Sequence, residues 1–308
     1  MPDHSRLLGG PVPVLAAAAL WGTTGTVATL APAGASPAAV GCAGLALGGL
    51  LLFLSDRRAA LLPGACTRGE RWLLVLGAIA VTGYPVSFYP AVARCGVAVA
   101  TVIALGSAPA FAGGLAWLAG QARPTARWAW ATAASVAGCA ILVLAPVLAG
   151  AASPVNVTGM ALAALAGLAY AVYSLIGGTL IARGHPSSAV MGAMFGAGAV
   201  LALPVLLDGG PRWLTTPRGA LVAAHLAVIT TFLAYRLFGH GLRHASAQVA
   251  TTLTLAEPAV ATALGVAALG ERLPALSWAG MAVLATGLAI LALPARQQRE
   301  VAGGEIQP

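Results

Sequence analysis

A single carboxylate, Glu257, stands inside the stretch Ala250–Leu291, which otherwise reads as two apolar runs meeting at Gly270-Glu271-Arg272-Leu273-Pro274. Each run is about 20 residues, long enough to cross a bilayer. A carboxylate at bilayer depth is costly to ionise, so it can take up and release a proton near neutral pH or hold a substrate amine. The plainer alternative is a buried acid hydrogen-bonded to a neighbouring helix. Pro258 follows directly and removes an amide donor, which frees the carbonyl of Thr254 four residues earlier. Thr254 also lies three residues before Glu257, on the same helix face. Pro109 does the same for Leu105. Freed carbonyls can line a cavity or be covered by hydroxyls and water, though a packing kink is the favoured reading of both prolines.

Other residue types that are scarce in apolar spans gather in a few places. Trp21-Gly22-Thr23-Thr24-Gly25-Thr26 puts an indole and hydroxyls in one span; small residues permit close helix approach, whereas Trp21 is better suited to wall a pocket. Four of the five tyrosines fall in two spans, as Tyr84-Pro85 with Phe88-Tyr89-Pro90, and as Tyr170 with Tyr173. Tyr89 and Tyr173 also suit an interfacial aromatic belt. Aromatic walls with one acid fit an amphiphilic or amino-acid-like ligand. The expected substrate-binding set is therefore Trp21, Thr24, Tyr84, Tyr89, Thr101, Tyr170, Tyr173, Thr254 and Glu257, with Glu257 also the coupling group. His225 could relay protons but reads better as a packed polar residue.

The elements that must position these residues follow from composition. Hydrophobic residues are 59% and charged residues 8%, against about a quarter charged in soluble domains. Ten apolar spans are expected, at about 12–31, 37–54, 72–92, 96–119, 127–149, 157–182, 188–207, 218–240, 246–269 and 275–294. The first, preceded by Arg6 and followed by Ala31-Pro32-Ala33-Gly34-Ala35, mimics a signal peptide but has too long an apolar run for one. The chain also repeats itself. At an offset of 150, Gly120, Pro124 and Trp128 fall on Gly270, Pro274 and Trp278; at 149, Arg94 and Pro109 fall on Arg243 and Pro258; at 148, Gly44 and Gly48 fall on Gly192 and Gly196. Two halves, 12–149 and 157–294, followed by a polar tail at 295–308, are the result. The paired Gly-xxx-Gly motifs read as helix packing inside each half.

All 16 basic residues are Arg, and 12 lie in the N-terminus, the even-numbered loops and the tail. The positive-inside rule then puts both termini, with the tail, in the cytoplasm. Five spans per half is an odd number, so the halves are inverted relative to one another: an all-α membrane protein of ten transmembrane helices in two inverted five-helix repeats. The formal charge of +8 belongs to loops flanking membrane spans, which points to lipid and topology and away from nucleic acid.

Several chemistries are excluded. Without Lys there is no P-loop lysine, and no HExxH, GxSxG or clustered Asp pair appears. Cys42, Cys66, Cys95 and Cys139 form no CxxC pair, so spacing supports neither disulfide nor metal. No cofactor is expected. Asn156-Val157-Thr158 is a sequon that matters only in a secreting eukaryote.

The chain resembles the EamA family of the drug/metabolite transporter superfamily. The resemblance rests on Trp21-Gly22, on Leu255-Ala256-Glu257-Pro258, on the hinge Leu269-Gly270-Glu271-Arg272-Leu273, and on Gly280 and Gly287, and it runs from Val14 to Leu293. Half one departs from the pattern, with Ala108 opposite Glu257 and Gln121 in place of Glu271. The resemblance implies a secondary transporter that exports small metabolites or drugs, embedded in the lipid bilayer. The absence of Lys, with abundant Ala, Gly and Arg, fits a GC-rich bacterial genome and hence the inner membrane. Proton coupling and a homodimer are both compatible with it. A membrane-embedded enzyme on a lipid-linked substrate would need clustered acids or histidines, and a channel would need repeated polar rings; neither pattern is present.

Overall fold

The computed structural model describes residues 9–28, 30–32, 34–121, 123–148, 156–269 and 273–293. The hinge at 270–272 and the tail lie outside them, as does the end of the first half beyond Leu148. The described residues are all-helical. In chain order the helices are α1 (Pro11–Gly22), α2 (Thr24–Ala28), α3 (Pro37–Leu54), α4 (Arg57–Ala65), α5 (Arg68–Leu118), α6 (Ala126–Leu148), α7 (Val157–Ala182) and α8 (Ser187–Asp208). After a 3₁₀ turn at Pro211–Thr215 come α9 (Pro217–His225), a π-helical stretch (Leu226–Leu233), α10 (Ala234–Gly241), α11 (Ala247–Leu253), α12 (Ala256–Leu269) and α13 (Ala275–Ala292).

Among the described residues, eight helices are long and apolar enough to cross a membrane. Their outer faces are apolar too: Leu54, Leu76, Ile79 and Leu201 are exposed, as expected where the surrounding solvent is lipid. Trp72, Trp130 and Trp278, near helix N-termini, and Trp117, near a C-terminus, are also exposed, the placement of an interfacial aromatic belt.

Two of the expected spans depart from the expectation, each for its own reason. α5 is 51 residues long, about 77 Å of helix at 1.5 Å per residue and far beyond one crossing. It is two limbs that turn at Gly96, whose φ of 80° and ψ of 157° suit glycine alone. The expected loop between spans three and four is thus one residue. The ninth span breaks between α11 and α12, at Thr254 and Leu255, so neither piece alone spans a membrane. The segment at 57–65, read as loop from sequence, is the short helix α4, capped by Asp56 through the Arg58 N–H.

The packing corrects one expectation. Gly44 and Gly48 of α3 face Leu226 and Thr231, while Gly192 and Gly196 of α8 face Leu52 and Phe53 of α3. These motifs therefore join the first half to the second and do not pack within each half. A Cβ at Gly192 would lie 2.9 Å from the Leu52 carbonyl oxygen, and one at Gly196 would lie 2.7 Å from Phe53 Cβ. The sequence pattern announces close approach but does not name the partner. α6 and α13 pair in the same way, with Gly138 against Gly280 and Leu284, and Gly287 against Ala131 and Ser135. Arg127 of α6 donates to the carbonyls of Ile290 and Leu293 at the end of α13, where a cation satisfies free carbonyls. Asn156, the sequon asparagine, caps α7 by accepting the Gly159 N–H.

Candidate functional site

A cavity of about 140 Å³ opens between α1, α3, both limbs of α5, α7, α8, the π-helical stretch and the start of α12. All five tyrosines of the chain, Tyr84, Tyr89, Tyr170, Tyr173 and Tyr235, line it, with Trp21 and Glu257.

The wall is a connected set of rings and hydroxyls. Trp21 is 4.9 Å from Tyr235, centroid to centroid, and its indole Nε1 donates to the Thr230 carbonyl at 2.7 Å. Thr230 belongs to the π-helical stretch, a backbone form concentrated at functional sites. The Tyr173 and Tyr235 hydroxyls share a hydrogen bond of 2.8 Å, and Phe195 lies 4.0 Å from the Tyr235 ring. Tyr84 stacks on Phe88 at 5.4 Å and meets Tyr170 edge-on at 6.2 Å. Gly41 of α3 admits the Tyr89 ring, since a Cβ there would occupy the same space.

Glu257 enters this wall from the first turn of α12. Its position follows from the break in the ninth span. The Thr254 carbonyl, which Pro258 cannot bond, accepts the Glu257 N–H at 3.0 Å. It is therefore satisfied within the turn and does not line the cavity. The break leaves a helix N-terminus, with its partial positive charge, beside the carboxylate. Among the described residues no basic side chain lies within ion-pair distance of Glu257. An acid so placed can accept a proton or a cationic ligand group.

Seven of the nine expected residues line the cavity: Trp21, Thr24, Tyr84, Tyr89, Tyr170, Tyr173 and Glu257. Tyr89 and Tyr173 are thus wall residues and not belt residues. Thr254 stands behind the wall, buried, with its Oγ1 hydrogen-bonded to the Tyr170 hydroxyl at 2.8 Å. Thr101 is not brought to the cavity. It lies on α5 only five residues past the Gly96 turn, and the cavity is reached one helical turn further on, at Leu105. His225 pairs with Thr23 at 2.8 Å and is absent from the wall, so it is a packed polar residue.

Sequence reasoning missed Tyr235, Phe195, Thr230 and Thr231, all of them wall residues. Tyr235 precedes Arg236 and resembles the end of a span. In the fold, Arg236 reaches away to Ser55 Oγ at 3.3 Å and lies over Phe232. Tyrosine scarcity was the available signal, and it applied to the fifth tyrosine as it did to the other four.

Comparison with known proteins supplies the remaining findings. A model of the EamA-like transporter family matches the chain twice, over residues 9–144 and 157–293. The chain is 38% identical over 287 residues to a protein of Bacillus subtilis (strain 168) described as "Uncharacterized transporter YwfM", covering 93% of this chain and 94% of that protein. A solved structure described only as the crystal structure of a protein superposes with a TM-score of 0.74 at 21% identity, covering 93% of this chain and 98% of the other. That likeness concerns the fold alone.

Proposed function

The chain belongs to the EamA-like transporter family, and from that premise we propose that it is a secondary exporter of small amphiphilic metabolites, amino-acid-like compounds or drugs. It is a multi-pass membrane transporter and not an enzyme. In this reading, ten crossings form two inverted five-helix repeats that alternate in opening the cavity to each side of a bacterial inner membrane, with both termini cytoplasmic.

The observation that carries the reading is an acid with no cationic partner among the described residues, in a cavity walled by five tyrosines and a tryptophan. The rings supply apolar and cation–π surface, the Tyr173–Tyr235 pair orients hydroxyls, and Glu257 supplies the charge that a substrate amine would meet. At about 140 Å³, the cavity is near the size that holds one benzene. A larger substrate is accommodated as the repeats move apart. Glu257 is also the coupling group: it holds a proton when the substrate is absent and releases it when the substrate binds.

A metabolite screen of cells with and without the protein supplies a transported compound. Glu257→Gln then keeps the side-chain shape and removes its titration. In proteoliposomes the variant is expected to retain substrate counterflow, while net efflux loses its dependence on pH. An unchanged pH profile in Glu257→Gln would make Glu257 a structural acid and remove the coupling role.

A further inference from the structure

Away from the cavity, three side chains of different chemistry converge where two helix ends meet. Cys66 Sγ lies 3.9 Å from His185 Nε2, and His185 Nε2 lies 3.6 Å from Glu70 Oε2. One ligand atom from each residue falls within 4.8 Å of the other two. Cys66 and Glu70 are buried, and His185 is partly open to solvent. We propose that Cys66, Glu70 and His185 form a binding site for a single borderline-soft divalent cation of the Zn²⁺ class.

Distance is the first argument. A tetrahedral Zn²⁺ with bonds of about 2.3 Å to sulfur, 2.05 Å to nitrogen and 2.0 Å to oxygen sets its ligands about 3.6 Å apart for S···N and about 3.3 Å apart for N···O. The observed separations of 3.9 and 3.6 Å exceed these by a few tenths of an ångström. Small rotations of the side chains close that gap. Three protein ligands with one side toward solvent leave the fourth position to water. The thiolate, imidazole and carboxylate set favours Zn²⁺ over hard cations such as Mg²⁺ or Ca²⁺. Binding displaces the thiol proton to solvent, and the thiolate and carboxylate then balance the charge of the ion.

Preorganisation is the second argument. Glu70 is the third residue of α5 and closes a capping box: the Thr67 N–H and hydroxyl donate to Oε2 at 2.9 and 3.0 Å, while the Glu70 N–H donates to Thr67 Oγ1 at 3.3 Å. Arg183 donates to the other carboxylate oxygen at 3.3 Å. His185 is held by the opposite kind of helix end. At the close of α7, Gly184 adopts a φ of +96°, its N–H reaches the Ile181 carbonyl, and the His185 N–H reaches the Leu180 carbonyl. This paired arrangement is a Schellman cap. Hydrogen bonds of this kind from outside the ligand set fix carboxylate orientation in metal sites. Sequence spacing could not reveal the group, because His185 is 119 residues from Cys66. The residues come from the two family matches, 9–144 and 157–293, so a bound ion ties the first match to the second on one face of the molecule.

The test uses the tag-free full-length protein in detergent, titrated with Co²⁺ and followed by absorption spectroscopy, then challenged with Zn²⁺. One equivalent of Co²⁺ per chain is expected to give tetrahedral visible bands with a thiolate-to-metal charge-transfer band, all bleached by Zn²⁺. Cys66→Ser should remove the charge-transfer band, and His185→Ala should weaken Co²⁺ binding at least tenfold. His185 is partly exposed, so its variant folds even where Cys66→Ser does not. No charge-transfer band in the native protein, an equal band in Cys66→Ser, or undiminished binding in His185→Ala would overturn the site.

Discussion

Gly41→Ala sets a methyl group against the ring of Tyr89. A Cβ at Gly41 would lie 2.7 Å from Tyr89 Cδ2 and closer still to Cε2 and Cζ. Carbon atoms in contact stand about 3.5 to 4.0 Å apart, so the ring must withdraw by about 2 Å at its nearest atom. Gly41 and Tyr89 both line the cavity, and the free space for the ring is the cavity itself. Seating a substrate then requires pushing the ring back against the new methyl. Overpacking of this kind costs about 1–3 kcal/mol, which corresponds to substrate binding weakened by about 5- to 150-fold. The assay is the concentration dependence of counterflow in proteoliposomes, with thermal unfolding in detergent as a control for folding. Half-saturation should move to higher substrate concentration with protein still folded, and adding Tyr89→Ala to Gly41→Ala should relieve the clash and restore the unfolding midpoint. Wild-type half-saturation together with a wild-type midpoint in Gly41→Ala would refute the placement of Tyr89 against α3.

Three further outcomes are expected. In a cysteine-free background, a new cysteine at Arg58 should react only once a reagent reaches the cytoplasm, and one at Arg212 should react from outside; labelling of both from the same side would sink the inverted arrangement. Gly280→Val drives a side chain onto the Gly138 carbonyl oxygen, 2.9 Å from the Cβ position, and should cost about 1–3 kcal/mol of stability, read as a lower unfolding midpoint. The Ser188 hydroxyl, followed by the Arg58 N–H, holds the Asp56 carboxyl below its ordinary 3.8. A depressed folded-state value means that stability is present above about 3.8 and is lost as pH falls through the lower folded value. Ser188→Ala should shrink that acid-side loss in a pH series of unfolding midpoints; an identical series would show that the Ser188 bond does not bear on stability.

Hydropathy made the crossing segments legible because lipid imposes one requirement on all of them: every backbone group must be bonded within the segment. The places where the chain meets that requirement unusually were not legible. At Gly96 a single residue in a glycine-only conformation replaces the loop expected at 93–95; Arg94 marks the boundary but not its tightness. Pro258 signalled a disturbance, yet the break lies at Thr254 and Leu255, because the Thr254 carbonyl finds its donor three residues on, in Glu257. The cavity wall was legible where residue types were rare for their surroundings, as with Trp21, Glu257 and four tyrosines. It failed where a charged neighbour disguised depth, at Tyr235 before Arg236. It failed again where a hydroxyl of the right type stood one turn too near a helix end, at Thr101. Long-range groupings such as Cys66 with His185 carry no sequence signal, since the fold alone brings them together.

The contrast between acids gives the clearest reason to locate function at Glu257. Asp56 accepts a hydrogen bond of 2.6 Å from the Ser188 hydroxyl and another from the Arg58 N–H. Glu70 is fixed by Thr67 and by the guanidinium of Arg183. Both sit where loops join helices, and each has donors supplied by the protein itself. Glu257 sits at the head of a helix inside a wall of rings, yet among the described residues no cation is set beside it. An acid kept for packing alone would be expected to have hydrogen-bond donors supplied by the fold, as the other two do. Leaving it unmatched costs stability. The proposed function gives that cost a return, because its partner, a proton or a transported amine, arrives and departs.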